Sequence, residues 1–149
     1  MKGSYFLVIR LDEGKRIRTK GRSFELKPGY YVYVGSAMNS LEKRIERHFR
    51  REKKMHWHID FFLAEAELLR AYLVPSAERL EETLSMEVSR VGEPVGGFGA
   101  GDVRVNTNLY RFEGEPDTFL IEILKKLGLK WKIVKSRGET KGLVRENEG

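Results

Sequence analysis

Two tyrosine-bearing segments, one basic run and one glutamate-rich segment hold the side chains best suited to chemistry. Gly3-Ser4-Tyr5 opens one apolar run, and Tyr33-Val34-Gly35 closes another. In an extended strand Tyr31 and Tyr33 share one face, with Tyr30 and Val32 on the other. A strand tyrosine on its own reads as packing with its hydroxyl at the rim. The segment that follows changes that balance. Leu41, Ile45 and Phe49 recur every four residues, as the buried stripe of a helix does. With Leu41 at zero on a helical wheel, Arg44 and His48 fall at about −60° and −20°, flanking the stripe. Lys43, Arg47 and Arg50 are expected to point outward. A guanidinium at the edge of a core takes a fixed anionic partner, which is either an internal carboxylate or a substrate phosphate.

The segment from Ala77 to Val91 supplies the candidate acid. Its apolar face is Ala77, Leu80, Leu84, Val88 and Val91, with Glu81 and Glu87 on the shoulders and Glu78 and Glu82 on the far side. Only the shoulder residues can reach a cleft. His56 and His58, two apart, would face the same way on a strand, and Asp60 is the one nearby third ligand. Packing of these histidines and Trp57 against the basic helix is the plainer reading, since zinc sites want three or four ligands. The glycine-rich stretch from 96 to 101 lacks the lysine and context of a phosphate-binding loop.

These positions must be held by a chain of 149 residues, the size of one domain. Alternation and turn signals predict strands at Tyr5–Leu11, Tyr30–Gly35, Leu68–Val74 and Val103–Phe112, a hairpin partner within Lys15–Arg22, and an edge strand at Trp131–Val134. Helices are expected from about Leu41, opened by Asn39 and Ser40 with Glu42 three residues after Asn39 as a capping box, over Ala77–Val91 and over Thr118–Leu127. His56-Trp57-His58-Ile59-Asp60 reads as a short helix or packed turn. The fold class is therefore α+β, a small, mostly antiparallel sheet flanked by helices. One domain spans residues 1–134, and residues 135–149 read as a polar, mobile tail.

Composition narrows the function classes. The net charge is +6, distributed unevenly. Residues 1–54 hold 15 Lys+Arg against 6 Asp+Glu, or +9, and residues 55–149 hold 13 against 16, or −3. Lys43, Arg47, Arg50, Arg51, Lys53 and Lys54 form the densest cluster and are the candidate nucleic-acid contacts. A solvated helix face is the plain alternative. With no cysteine, thiolate catalysis, disulfides and cysteine-ligated zinc are excluded, and a reducing, cytoplasmic setting is expected. The sequence shows neither a signal peptide nor an apolar run of membrane-spanning length, so no membrane partner is expected. The 34% charged residues suit a thermophile.

Gly3-Ser4-Tyr5, then Tyr33-Val34-Gly35-Ser36-Ala37, then Leu41, Arg44, His48 and Phe49 together resemble the GIY-YIG nuclease superfamily. The closer likeness is to an uncharacterised branch found largely in archaea and thermophilic bacteria, sometimes fused to a base-excision DNA glycosylase. His56–Asp60 and Gly97–Asp102 match that branch's own signatures, and the likeness runs from about residue 3 to 112. It implies an endonuclease that hydrolyses DNA phosphodiesters with one Mg²⁺ or Mn²⁺ held by Glu81. It also implies that Tyr5 activates or positions the attacking water, that Tyr33 and His48 support the site, and that Arg44 neutralises the scissile phosphate. DNA or RNA and a DNA-repair protein are the implied partners. Glu82, Val103, Val105 and Asn108 stand where the branch carries cysteines and a histidine, so any function of that cluster is absent here. Two other classes remain open: a non-catalytic nucleic-acid-binding module on the same scaffold, and a protein-interaction domain whose basic helix meets an acidic partner.

Overall fold

The computed structural model describes residues 1–98 and 107–148, with side chains to residue 144. Strand β1 (Gly3–Leu11) is almost continuously apolar and lies inside the sheet, where both faces are covered. It pairs antiparallel with β4 (Gly29–Ala37) on one side and with β5 (Glu67–Pro75) on the other. β7 (Leu109–Phe112) extends the sheet beyond β4, followed by the two-residue β6 (Glu93–Pro94), and β8 (Lys132–Val134) closes the other edge. All six strands run antiparallel to their neighbours. The α+β reading holds.

One face of the sheet carries α1 (Leu41–Phe49), α2 (His58–Leu63) and a separate hairpin of β2 (Lys15–Thr19) and β3 (Arg22–Leu26). Tyr5, Leu7, Ile9, Tyr31 and Tyr33 point into this layer, as their odd-numbered alternation requires. The opposite face carries α3 (Glu81–Ser89) and α4 (Asp117–Lys126), packed on Phe6, Val8, Val32, Val34 and Tyr72. α5 (Arg137–Glu148) returns to pack on α1. No helix among the described residues is long and apolar enough to cross a membrane.

Several boundaries differ from the sequence-based expectation. α3 starts at Glu81, not at Ala77, because the Ser76 hydroxyl accepts from the Glu78 backbone N–H and turns the chain first. Ala77 and Val91 are consequently exposed, and Ser85 takes a buried place beside Leu84 and Val88. α1 is capped by Ser40, whose hydroxyl accepts from Lys43 N–H at 3.2 Å. Glu42 is instead buried and receives the Met1 ammonium at 2.7 and 2.9 Å. Residues 103–106 of the expected seventh strand lie outside the described residues.

Residues 135–149 are not a mobile tail as far as they are described. The Ser136 hydroxyl accepts from Glu139 N–H, and the Glu139 carboxylate accepts from Lys135 N–H, a reciprocal arrangement that starts α5. Arg137 then donates to Glu46 of α1 at 2.7 Å, and Leu143 is buried.

α1 and α2 are joined by an ion pair that also organises the nearby loop. Arg47 donates through both terminal nitrogens to Asp60, at 2.9 and 3.0 Å. The same carboxylate accepts the backbone N–H groups of His56 and Trp57, at 2.8 and 2.9 Å. Asp60 is fully buried, and these donors hold its carboxyl down at about 2 even though burial opposes ionisation. Replacing Asp60 by Ala would strand the Arg47 charge and two backbone donors. The expected loss is about 3–5 kcal/mol of unfolding free energy, read by urea denaturation at neutral pH.

Candidate active site

The site is built around a close approach of two chains. Tyr5 sits opposite Gly35 in the β1–β4 register. Its ring lies directly over the glycine: a Cβ at position 35 would come within 2.3 Å of the Tyr5 Cζ and hydroxyl oxygen. Gly35 is thus required by space. Over that gap the Tyr5 hydroxyl reaches Nε2 of His48 at 2.8 Å, in a fully buried bond between β1 and α1. Tyr33 completes a triangle of rings, 6.4 Å from both Tyr5 and His48.

Burial sets the charge states of this group. It pushes the Tyr5 phenol up to about 12, with Arg44 pulling the other way through its charge and a hydrogen bond. The Tyr33 phenol is raised well above its ordinary value, first by burial and then by Tyr5. His48 is driven down to about 3 by burial, reinforced by Lys53 and opposed by Asp60. It is therefore a neutral imidazole at physiological pH. Its second ring nitrogen, Nδ1, is buried with no hydrogen-bond partner among the described residues.

Arg44 comes from the exposed shoulder of α1. It donates to the Ser36 carbonyl at 3.0 Å and stacks on Trp57, with Cζ 4.6 Å from the ring centroid. Among the described residues it forms no ion pair with a carboxylate. Glu81, the first residue of α3, faces it from beyond the end of β4. The Glu81 carboxylate accepts from Ser36 N–H and from the Asn108 side chain, and it lies within the electrostatic reach of Arg79, Arg44 and both phenols. Burial dominates and raises its pKa. Tyr5, Tyr33, Arg44, His48 and Glu81 are therefore brought together, although they come from four elements.

The basic cluster fares differently. Arg47 is bound to Asp60 and to the Lys54 carbonyl, and its Cζ also lies over the Trp57 ring, 4.5 Å from the centroid. Arg50 is bonded to Glu46 at 2.6 Å. Lys53 donates to the Arg47 and His48 carbonyls at 3.2 and 2.9 Å, closing the C-terminal end of α1, and burial lowers its pKa to about 8. These three cations serve the fold. Lys43, Arg51 and Lys54 are exposed. Glu87 is likewise committed, to Lys126 and Arg90. His56 and His58 do not converge: His58 Nδ1 bonds the Thr19 hydroxyl at 2.6 Å, while His56 is exposed.

Asn108, Ser36, Trp57 and Asp60 are further members of the site's surroundings that the sequence reading did not place there. Trp57 was legible as a packing residue, and Asp60 only as a third ligand beside His56 and His58. Asn108 was legible only as a departure from the resembled branch.

With this geometry in place the comparisons can be read. Residues 4–129 match the family described as Domain of unknown function DUF123. The chain belongs to that family. No curated protein and no solved structure matches it. The matched span includes all five converging side chains.

Two outcomes follow from the site's packing. Gly35→Ala displaces the Tyr5 ring and breaks its bond to His48, costing about 1–3 kcal/mol as overpacking does, checked by urea denaturation and a tyrosine ring NMR shift. The neutral His48 makes the fold acid-sensitive. Its folded pKa lies below its unfolded value, so its contribution is complete above about 6.5 and is lost progressively as pH falls toward 3. His48→Gln flattens the stability profile between pH 6.5 and 4; an unchanged slope would show that other groups control it.

Proposed function

We propose that the chain is a divalent-metal-dependent phosphodiester hydrolase, an endonuclease acting on DNA. One observation carries this reading: the Arg44 guanidinium stands near two phenols and the Glu81 carboxylate, yet among the described residues it forms no direct ion pair. A cation held in this way suits a phosphate diester.

The donor set fits a hard cation of the Mg²⁺ or Mn²⁺ type. Glu81 offers carboxylate oxygen with hydroxyl groups nearby, and the chain has no cysteine thiolate to favour a softer metal. Among the described residues no three His, Asp or Glu side chains gather as a metal cluster. Glu81 would therefore be the one protein ligand, with water and substrate oxygens filling the other positions, as Mg²⁺ readily permits. Bound there, the ion would neutralise phosphate charge and acidify a water.

The chain's own groups divide the remaining work. Arg44 binds a non-bridging phosphate oxygen and balances charge that builds up during attack. The Tyr5 hydroxyl, protonated at neutral pH, is aimed by its bond to His48 and orients the attacking water. His48 holds that hydroxyl as a neutral partner. Tyr33 walls the pocket and limits how the sugar–phosphate can sit.

Supercoiled plasmid incubated with Mg²⁺ or Mn²⁺ tests the reading. The wild-type protein should nick it, and Arg44→Ala or Glu81→Ala should each reduce the rate by about 10²–10³-fold, the usual loss for one transition-state charge contact. Mobility shifts of plasmid without nicking would replace the hydrolase with a binding module. Absence of both at low salt would leave neither.

A further inference from the structure

The β2–β3 hairpin carries more positive charge than its own contacts absorb. Ile17, Thr19, Phe24 and Leu26 point inward and are buried, so alternation turns Arg16, Arg18 and the Lys20 turn residue outward. Arg16 is neutralised across the strands by Glu25 at 2.5 Å, and Lys15 faces Glu65 at 3.3 Å. Arg18 and Lys20 are exposed and form no ion pair among the described residues. Their position is firm. Lys20 and Gly21 have φ of 44° and 83°, so both turn residues adopt the left-handed conformation of a tight hairpin, and Arg22 ties the tip to the Gly97 carbonyl at 2.8 Å.

The tip is also fixed relative to the candidate active site. Thr19 bonds His58 at 2.6 Å, the His58 ring lies 6.0 Å from Phe98, and Phe98 lies 6.5 Å from Tyr33. Two ring-to-ring steps thus separate the hairpin from the catalytic tyrosines, a span of about three to four nucleotides at ~3.4 Å of rise per strand. The charge of Arg22 and Lys20 is felt at His58, whose pKa is held down by burial and then by those two cations.

We infer that Arg18 and Lys20 form a second phosphate-binding arm, gripping the nucleic-acid backbone a few nucleotides from the linkage that faces Arg44. This assignment rests on the proposed reaction on DNA and names where the flanking strand is held. Backbone contacts of this kind give affinity without sequence preference.

The test measures binding of a short labelled duplex against salt concentration, in a Glu81→Ala background that keeps the DNA intact. The variants are Arg18→Ser with Lys20→Ser, and, as a control of equal charge on the opposite face, Lys125→Ser with Lys130→Ser. Losing two phosphate contacts should reduce the slope of log K against log salt by about 1.8 in the hairpin variant. The control should keep its slope. In the otherwise wild-type enzyme the hairpin variant should need a higher DNA concentration to reach half of its maximal nicking rate. An unchanged slope in the hairpin variant, or an equal loss in the control, overturns the second arm while leaving the hydrolase reading intact. Slope loss without wild-type nicking supports the arm and overturns the hydrolase. No binding of the duplex at all overturns both.

Discussion

The contact of the Tyr5 ring with Gly35 is the constraint on which the site depends. A central strand normally packs its side chains against those of its neighbour, but here one partner has none. The Tyr5 ring fills that space and lies across the backbone of β4. From there its hydroxyl can reach only the layer above the sheet, where His48 accepts or donates the bond. That bond sets the rotation of α1 about its own axis. Arg44, one turn before His48, is then carried to the Ser36 carbonyl at the end of β4, where Glu81 arrives from α3.

Within this enclosure burial acts on every titratable group in the same sense, against charge. It raises both phenols and the Glu81 carboxyl, and it lowers His48. The Arg44 guanidinium stands among these groups, bonded to the Ser36 carbonyl and in no ion pair among the described residues. The Trp57 ring lies against both Arg44 and Arg47, and Arg47 in turn is held by Asp60.

The positive N-terminal half illustrates the difference between counting charge and locating it. A surplus of nine charges suggested a basic helix as the nucleic-acid contact. Folding instead brings Glu46 and Asp60 against Arg50 and Arg47, and the α1 carbonyls against Lys53. Much of the charge that looked available closes the structure. What stays uncompensated lies partly on the hairpin, which the sequence marked within Lys15–Arg22 as a strand partner but not as a nucleic-acid contact, its basic residues being interrupted by Ile17 and Thr19. That interruption is what directs Arg18 and Lys20 to solvent.

The α+β architecture and the central strands were readable from local pattern, because strand alternation and helical periodicity depend on near neighbours alone, whereas the grouping of Tyr5, Tyr33, Arg44, His48 and Glu81 was expected only from the family resemblance. Residues 135–149 were misread because polar composition suggested mobility, although Ser136 and Glu139 carried the start signal of α5. Neighbouring residues could not tell which cations would be consumed, since Arg47 meets Asp60 and Arg137 meets Glu46 only after distant segments pack. Nor could they show that Gly35 must be glycine, or that Asn108 would reach Glu81. Sequence by itself determined which side chains lie on which face of each element. The tertiary structure alone decided which of those faces meet, because burial, pairing and charge state arise from contacts between segments far apart along the chain.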